Sequence, residues 1–231
     1  MTQIEAIQAR HAVRRYRTEP ISNEILDTLR KEIAAVNEEG RLHIQLVTDE
    51  PKAFSGPMAS YGKFSGVRNY LVMAGRKADD LDGRIGYYGE RLVLLAQSLG
   101  LNTCWVGLTY KKVSDAYELG ADEKICCCIS LGYGDTQGVS HKIKTPEEVS
   151  NVSDRTPDWF KKGVDAALLA PTAVNQQKFF IEYVGAPAAG SLPKVSLRVK
   201  GISLAGYTKL DLGIVRLHFE IGAGKENFEW A

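Results

Sequence analysis

No stretch of this chain approaches the roughly 18 apolar residues that a membrane helix needs, and Met1 leads into TQIEAIQAR with no apolar run behind it. Neither a membrane span nor a secretory leader is expected, which assigns the chain to the cytoplasm. Charge of one sign is also missing. With 29 Lys and Arg against 28 Asp and Glu, the net charge is +1. That argues against a general nucleic-acid binder, but not against a small anion held by a few local arginines. Cysteine is scarce: Cys104, Cys126, Cys127 and Cys128, with no C-x-x-C pair. Three are consecutive in the strand-like run ICCCISLG, where neighbours point to opposite faces, so they cannot converge on one metal. Free thiols in a reducing compartment are expected. His11, His43, His141 and His218 show no metal-ligand spacing. There is no G-x-S-x-G elbow. GAGKEN (222–227) lacks the first glycine and the Ser/Thr of a phosphate loop, and GRIGYYG (83–89) has the wrong spacing for a dinucleotide fingerprint. His218, on a largely apolar helix, reads as a hydrogen-bonded core histidine.

What is present is ordinary globular material: 231 residues, 44% hydrophobic and 25% charged. Thr2 and Glu5 form a capping box ahead of a short helix. A second helix starts after Ser22, with Ile25, Leu26, Leu29 and Ile33 on one face. LHIQLVT (42–48) and NYLVMAG (69–75) read as strands. Residues 84–100 form a helix apolar on most sides, hence central and buried. TCWVG (103–107) and 124–134 read as buried strands, and the polar stretch 135–155 as an exposed surface loop. A helix over 157–170, strands at 178–185 and 194–201, and an apolar helix over 209–224 complete the chain. The order is not a clean βαβ alternation, which favours an α+β fold with helices packed on sheets. Helix, strand, strand, helix recurs in the two halves, approximately 1–150 and 151–231, as a faint internal echo.

Two stretches carry chemistry. RHAVRRYR (10–17) concentrates cations at a helix end, and Arg10 and Arg14 have the guanidinium forks that suit phosphate oxygens. The plainer reading is a solvated basic patch at the negative end of a helix. ALLAPTAVNQQKFF (167–180) stops a helix at Pro171 and turns through a polar cluster into a strand.

In order, RHAVRRYRTEPIS, GYYGERLVLLAQSLGLNTCWVG, ICCCISLGYGD with the basic HKIK behind it, and APTAVNQQKF resemble the motifs of the FMN-dependent nitroreductase family. In the subgroup it is similar to, the A-P-[ST]-A-x-N-Q-Q motif lies in the C-terminal half. The resemblance implies a nitroreductase-like α+β fold: mixed, mainly antiparallel sheets flanked by helices, with two pseudo-symmetric halves around long central helices. Ordinary members are two-fold dimers with FMN between subunits, one giving the arginine motif and the other the A-P-S-A-x-N loop. This chain holds one of each, which implies a single domain over 1–231 built as a pseudo-dimer with one flavin site, monomeric or further paired as a homodimer.

The same resemblance assigns Arg10 to the FMN phosphate, with Lys142 or Lys144 as second cation and His11 assisting. Ala12 stands where a serine hydroxyl is usual. Arg14, with Lys63 as an alternative, would stand at the pyrimidine edge. Val106 and Gly107 would approach the ring from a strand end, and Pro171, Thr172 and Asn175 from the other half. The implied activity is NAD(P)H-dependent reduction of a flat nitroaromatic or quinone-type acceptor by ping-pong hydride transfer, with NADH or NADPH as reductant and no protein acid–base residue required. Lys178 and Phe179 replace the usual Pro-Trp. A flavin-binding protein without turnover, or a flavoenzyme of other chemistry such as reductive dehalogenation or dehydrogenation, are the alternatives.

Overall fold

The computed structural model describes residues 1–186, 188, 190–203 and 205–231. Helix α1 (Gln3–Ala9) opens on the capping box, in which Thr2 Oγ1 accepts from the Glu5 amide and the Glu5 carboxylate accepts from the Thr2 amide. Helix α2 (Asn23–Gly40) starts at Ser22, whose hydroxyl accepts from Ile25 N, and ends on Arg41 in the left-handed region. Its buried stripe is Leu26, Leu29, Ile33 and Val36.

Strands β1 (Gln45–Val47), β2 (Asn69–Arg76), β3 (Asn102–Val106) and β4 (Glu123–Gly132) form an antiparallel sheet in the order β1-β2-β4-β3. A short helix, α3 (Pro57–Tyr61), precedes β2. One face of the sheet packs on the helices. The other is covered by Val13, Tyr16, Phe54 and Phe64, which come from loops and the N-terminal arm. The register shifts between Met73 and Ala74 and leaves Cys126 without a partner on β2. This bulge breaks the strict alternation expected of ICCC. Cys126 and Cys127 both face the helical core, whereas Cys128 faces the loops.

Helix α4 (Leu81–Ser98) begins three residues before the predicted start and buries Ile85, Gly86, Gly89, Glu90, Leu92 and Val93. It crosses α7 (Thr208–Ala223) at backbone contact. A Cβ on Gly86 would lie 2.0 Å from the Leu210 carbonyl oxygen, and one on Gly213 would lie 2.1 Å from that of Gly83. Only glycine permits this approach.

The polar stretch 135–155 is not wholly exposed. It contains α5 (Pro146–Val149), and Val149 and Ser150 are buried, with Ser150 bridging Ile181. Helix α6 (Asp158–Leu168) packs on α7 and ends before Pro171. Strands β5 (Phe179–Gly185) and β6 (Lys194–Val199) are antiparallel, and β7 (Glu229–Trp230) runs parallel to β6. Phe160, Phe219 and Phe228 meet edge-on beneath this sheet, with ring centroids 5.6 and 5.2 Å apart.

Candidate functional site

The arginine motif is extended and laid along the edge of β3. Val13 N donates to Thr103 O at 3.0 Å, Ser65 N to Arg14 O at 3.0 Å, and Arg17 N to Tyr133 O at 2.8 Å. Val13 and Tyr16 are buried; they are three residues apart, so the arm does not keep a strict period-2 alternation. Arg14, Arg15 and Arg17 remain exposed. Tyr16 anchors the arm through its hydroxyl, 2.7 Å from Val13 O and 2.8 Å from Ser130 Oγ.

Arg10 caps the C-terminal end of α1 and is 4% exposed. It therefore does not reach out as the sequence led us to expect: the backbone leaving α1 turns its side chain inward. Its Nε lies 3.8 Å from Glu90 Oε1 and has no hydrogen-bond partner among the described residues. Glu90 is fully buried. It accepts from Trp105 Nε1 at 2.9 Å and lies 2.9 Å from His218 Nε2. His218 is equally buried, and its Nδ1 lies 3.1 Å from Ala166 O.

A strap over residues 138–144 links the arm to the second half. At one end a Cβ on Gly138 would touch His11 Cβ at 2.8 Å. In the middle, His141 Nε2 lies 3.2 Å from Leu168 O, at the C-terminal end of α6. Burial holds His141 below the usual histidine range, and the nearby charges of Arg10, His11 and His218 act in the same direction. Burial and the Arg10 charge lower His11 likewise. At the other end, Lys142 O accepts from Asn175 Nδ2 at 2.9 Å and from Gln177 Nε2 at 2.8 Å.

The APTAVNQQ turn is held closed from within. Gln177 N donates to Thr172 Oγ1 at 3.0 Å, and Ala173 N and Gln176 Nε2 donate to the Asp211 carboxylate at 3.0 and 2.7 Å. Burial pushes that carboxyl up to about 6, against the opposing effect of these two bonds. Val174, Asn175 and Gln177 all occupy the left-handed region, at φ of 46°, 56° and 44°. For a β-branched residue this is strained backbone, and Val174 is 85% exposed, so no burial compensates it.

Of the residues singled out from sequence, Arg10, His11 and Ala12 therefore meet the strap, and the strap's Lys142 and Lys144 meet Asn175 and the turn that begins at Pro171 and Thr172. Lys144 is not a free cation: its Nζ donates to Gln177 O at 2.8 Å. Lys142 remains exposed. Val106 is buried at the end of β3. Gly107 lies under Tyr207, whose hydroxyl is 2.5 Å from where a Cβ would stand. Arg14 and Lys63 lie apart from the strap, Arg14 5.9 Å over the Phe64 ring and Lys63 exposed in the preceding turn. Glu90, Trp105, His141, Tyr207 and Asp211 were not anticipated as site residues. The signal for Glu90 was a lone carboxylate in an apolar run. Its partner His218 stands 128 residues away, and a single sequence does not pair them.

For an anion the arrangement offers the unpartnered Arg10 Nε, with the His11 ring near it and Lys142 exposed on the strap, whereas His141 Nε2 is already committed to Leu168 O. A cavity of about 660 Å³ lies elsewhere, lined in part by Arg84, Tyr87, Lys209, Arg216, Glu220 and Trp230. Its cations are matched by Glu39, Asp79, Asp80 and Glu220, so it holds no comparable uncompensated charge. Among the described residues, no His, Cys, Asp and Glu cluster suited to a metal ion occurs, and no helix is long and apolar enough to cross a membrane.

No curated protein matches the chain. Among solved structures, a protein of Thermotoga maritima described as a "putative nitroreductase" is similar at 21% identity and a TM-score of 0.66, covering 98% of this chain and 85% of that one. The NfrA1 nitroreductase of B. subtilis aligns at 14% identity and a TM-score of 0.52, over 67% of this chain and 74% of its own. A protein of Desulfovibrio desulfuricans described as a "putative nitroreductase", in complex with FMN, aligns at 15% identity and a TM-score of 0.51, over 68% and 99%. These likenesses establish a nitroreductase-like α+β fold. Residues 2–223 match the family described as "Putative TM nitroreductase", and the chain belongs to that nitroreductase family.

Proposed function

We propose that the chain is an FMN-dependent NAD(P)H oxidoreductase that reduces flat nitroaromatic or quinone-type acceptors. The observation that carries this reading is Arg10, buried beside His11 and His141 with Nε unpartnered. A buried polar group without a partner is costly unless a ligand supplies one, and a phosphate fits a guanidinium donor. Bound FMN would supply the hydride-accepting and hydride-donating ring. The chain would supply the rest. Arg10, His11 and Lys142 would hold the phosphate. Val106 and Gly107 on one side, and Pro171, Thr172 and Asn175 on the other, would line the ring. Arg14 would stand at its far edge with Lys63. Ala12 offers no hydroxyl to the ribityl chain.

We further infer that the chain is an internal pseudo-dimer, one domain over 1–231 with halves near 1–150 and 151–231. The α4–α7 crossing supports this. Gly86 meets Leu210 O and Gly213 meets Gly83 O, and Gly83 precedes Gly86 by the same interval as Leu210 precedes Gly213. The contacts are thus exchanged as a two-fold would exchange them. Arg84, two before Gly86, donates to Gly40 O at 2.6 Å, at the end of α2. Asp211, two before Gly213, accepts from Ala173 N, beyond the end of α6.

The test is reconstitution with FMN followed by anaerobic addition of NADH or NADPH. The ring should bleach and recolour on adding a nitroaromatic, and Arg10→Ala should weaken FMN binding by about 1.5–3 kcal/mol. A protein that takes up no FMN ends this reading. Flavin binding without turnover is a second reading, favoured by Tyr207 packed over Gly107, where the ring was expected. Bound flavin that neither nucleotide bleaches would select it.

A further inference from the structure

The charges buried around Arg10 can be counted from hydrogen-bond geometry. His218 Nδ1 faces the Ala166 carbonyl at 3.1 Å. A carbonyl only accepts, so Nδ1 carries a hydrogen. His218 Nε2 faces Glu90 Oε1 at 2.9 Å, and a bond at that distance needs a proton between them. That proton sits either on Nε2, leaving an imidazolium beside a carboxylate, or on Glu90 beside a neutral ring. In both placements the pair as a unit has no net charge. The other oxygen, Oε2, accepts from Trp105 Nε1. Glu90 is the carboxylate beside Arg10, yet the two do not hydrogen bond.

We propose that Glu90 and His218 hold one proton between them, so that the pair is neutral and Arg10 keeps an uncompensated charge for an anionic group of the phosphate class bound beside His11 and His141. Glu90 and His218 are positioning residues: they touch no ligand and act through Arg10. The proposal rests on the reading of Arg10 as a phosphate ligand, and it explains what a carboxylate is doing next to one. A bare Glu90 carboxylate would compete with the phosphate for the same guanidinium. With His218 holding its proton, it does not. The remaining ionisable groups that feel the Arg10 charge are His11 on the arm, His141 on the strap and Cys104 on β3, whose thiol burial pushes up. The two histidines are basic and the buried thiol stays protonated, so none supplies the missing negative charge.

The experiment has two parts. In NMR spectra of the ligand-free protein, the His218 ring should carry hydrogen on Nδ1 by its ¹⁵N shifts, and a second proton should be found either on Nε2 or, by the ¹³C shift, on the Glu90 carboxyl. Nδ1–H with a bare Nε2 and an ionised Glu90 overturns the proposal. An unprotonated Nδ1, with the proton on Nε2 alone, overturns the proposal whether or not the chain binds flavin. The second part measures the FMN dissociation constant by fluorescence quenching. Glu90→Gln replaces the neutral pair with a neutral amide that can donate to His218 and accept from Trp105, so affinity should stay within about threefold. His218→Gln removes the proton and leaves a carboxylate facing Arg10, so affinity should fall about tenfold or more. The double variant, E90Q with H218Q, should recover the affinity that H218Q loses. Loss in the double variant at least as great as in H218Q would mean that both residues merely pack, and would overturn the proposal. If the wild-type protein takes up no FMN, the flavin reading fails instead. The same variants are then compared with inorganic phosphate as probe, and the ¹⁵N and carboxyl ¹³C shifts together still decide the proton count.

Discussion

At the scale of single residues, Asp211 shows how a buried group serves a turn at a cost. Its carboxyl is raised from its ordinary 3.8 to about 6 by burial. Between about pH 4 and 6 the unfolded chain has lost this proton and the folded chain still holds it. Folding stability should therefore fall as pH rises through that window, by about 2–3 kcal/mol. Asp211→Asn should flatten this fall in urea unfolding compared at both ends of the window; an unchanged slope would mean that the carboxyl is not perturbed. Burial acts on the thiols in the same direction. Burial and the neighbouring Asp82 push Cys126 up to about 12, and burial pushes Cys128 to about 12. Native protein should resist iodoacetamide at pH 8, with rapid alkylation only after unfolding, as read by mass spectrometry.

At the scale of elements, the α4–α7 crossing is the contact most sensitive to change. Gly213→Ala would drive a methyl group into the Gly83 carbonyl, which is backbone and cannot rotate away. The helices would have to separate, at a cost of about 2–3 kcal/mol or more, and thermal unfolding should shift down by several degrees. A melting temperature unchanged in Gly213→Ala would mean that the crossing is looser than it stands. Sequence periodicity placed these helices within a few residues, because a 3.6-residue apolar pattern spans many turns. β1 proved shorter than 42–48, and the Cys126 bulge was not legible. A bulge answers to the partner strand, and β2 is far away in sequence. α5 was missed because four residues carry too little periodicity.

At the scale of the whole molecule, the arm, strap and turn belong to three distant parts of the chain, and the motifs named all three. What could not be read was orientation. Arg10 and Arg14 look alike in RHAVRRYR, but α1 ends at Arg10 and rotates it inward, while Arg14 lies exposed on the extended arm between the buried Val13 and Tyr16. Lys142 and Lys144 differ likewise, because Gln177 captures only the second. If one site serves the whole chain, equilibrium titration should give about one FMN per chain, and a ratio near two would overturn the pseudo-dimer. At about 100 times its dissociation constant, FMN should raise stability by about 2.7 kcal/mol.

The turn at 172–177 has one further consequence. Its three left-handed residues, its internal Thr172 and Gln177 bonds and its tie to Asp211 leave it a single arrangement before anything binds. The entropy of ordering that wall is lost when the chain folds, not when a ligand arrives. If the turn lines the proposed flavin site, association there should be limited by how fast a ligand reaches it rather than by how often the loop finds its shape.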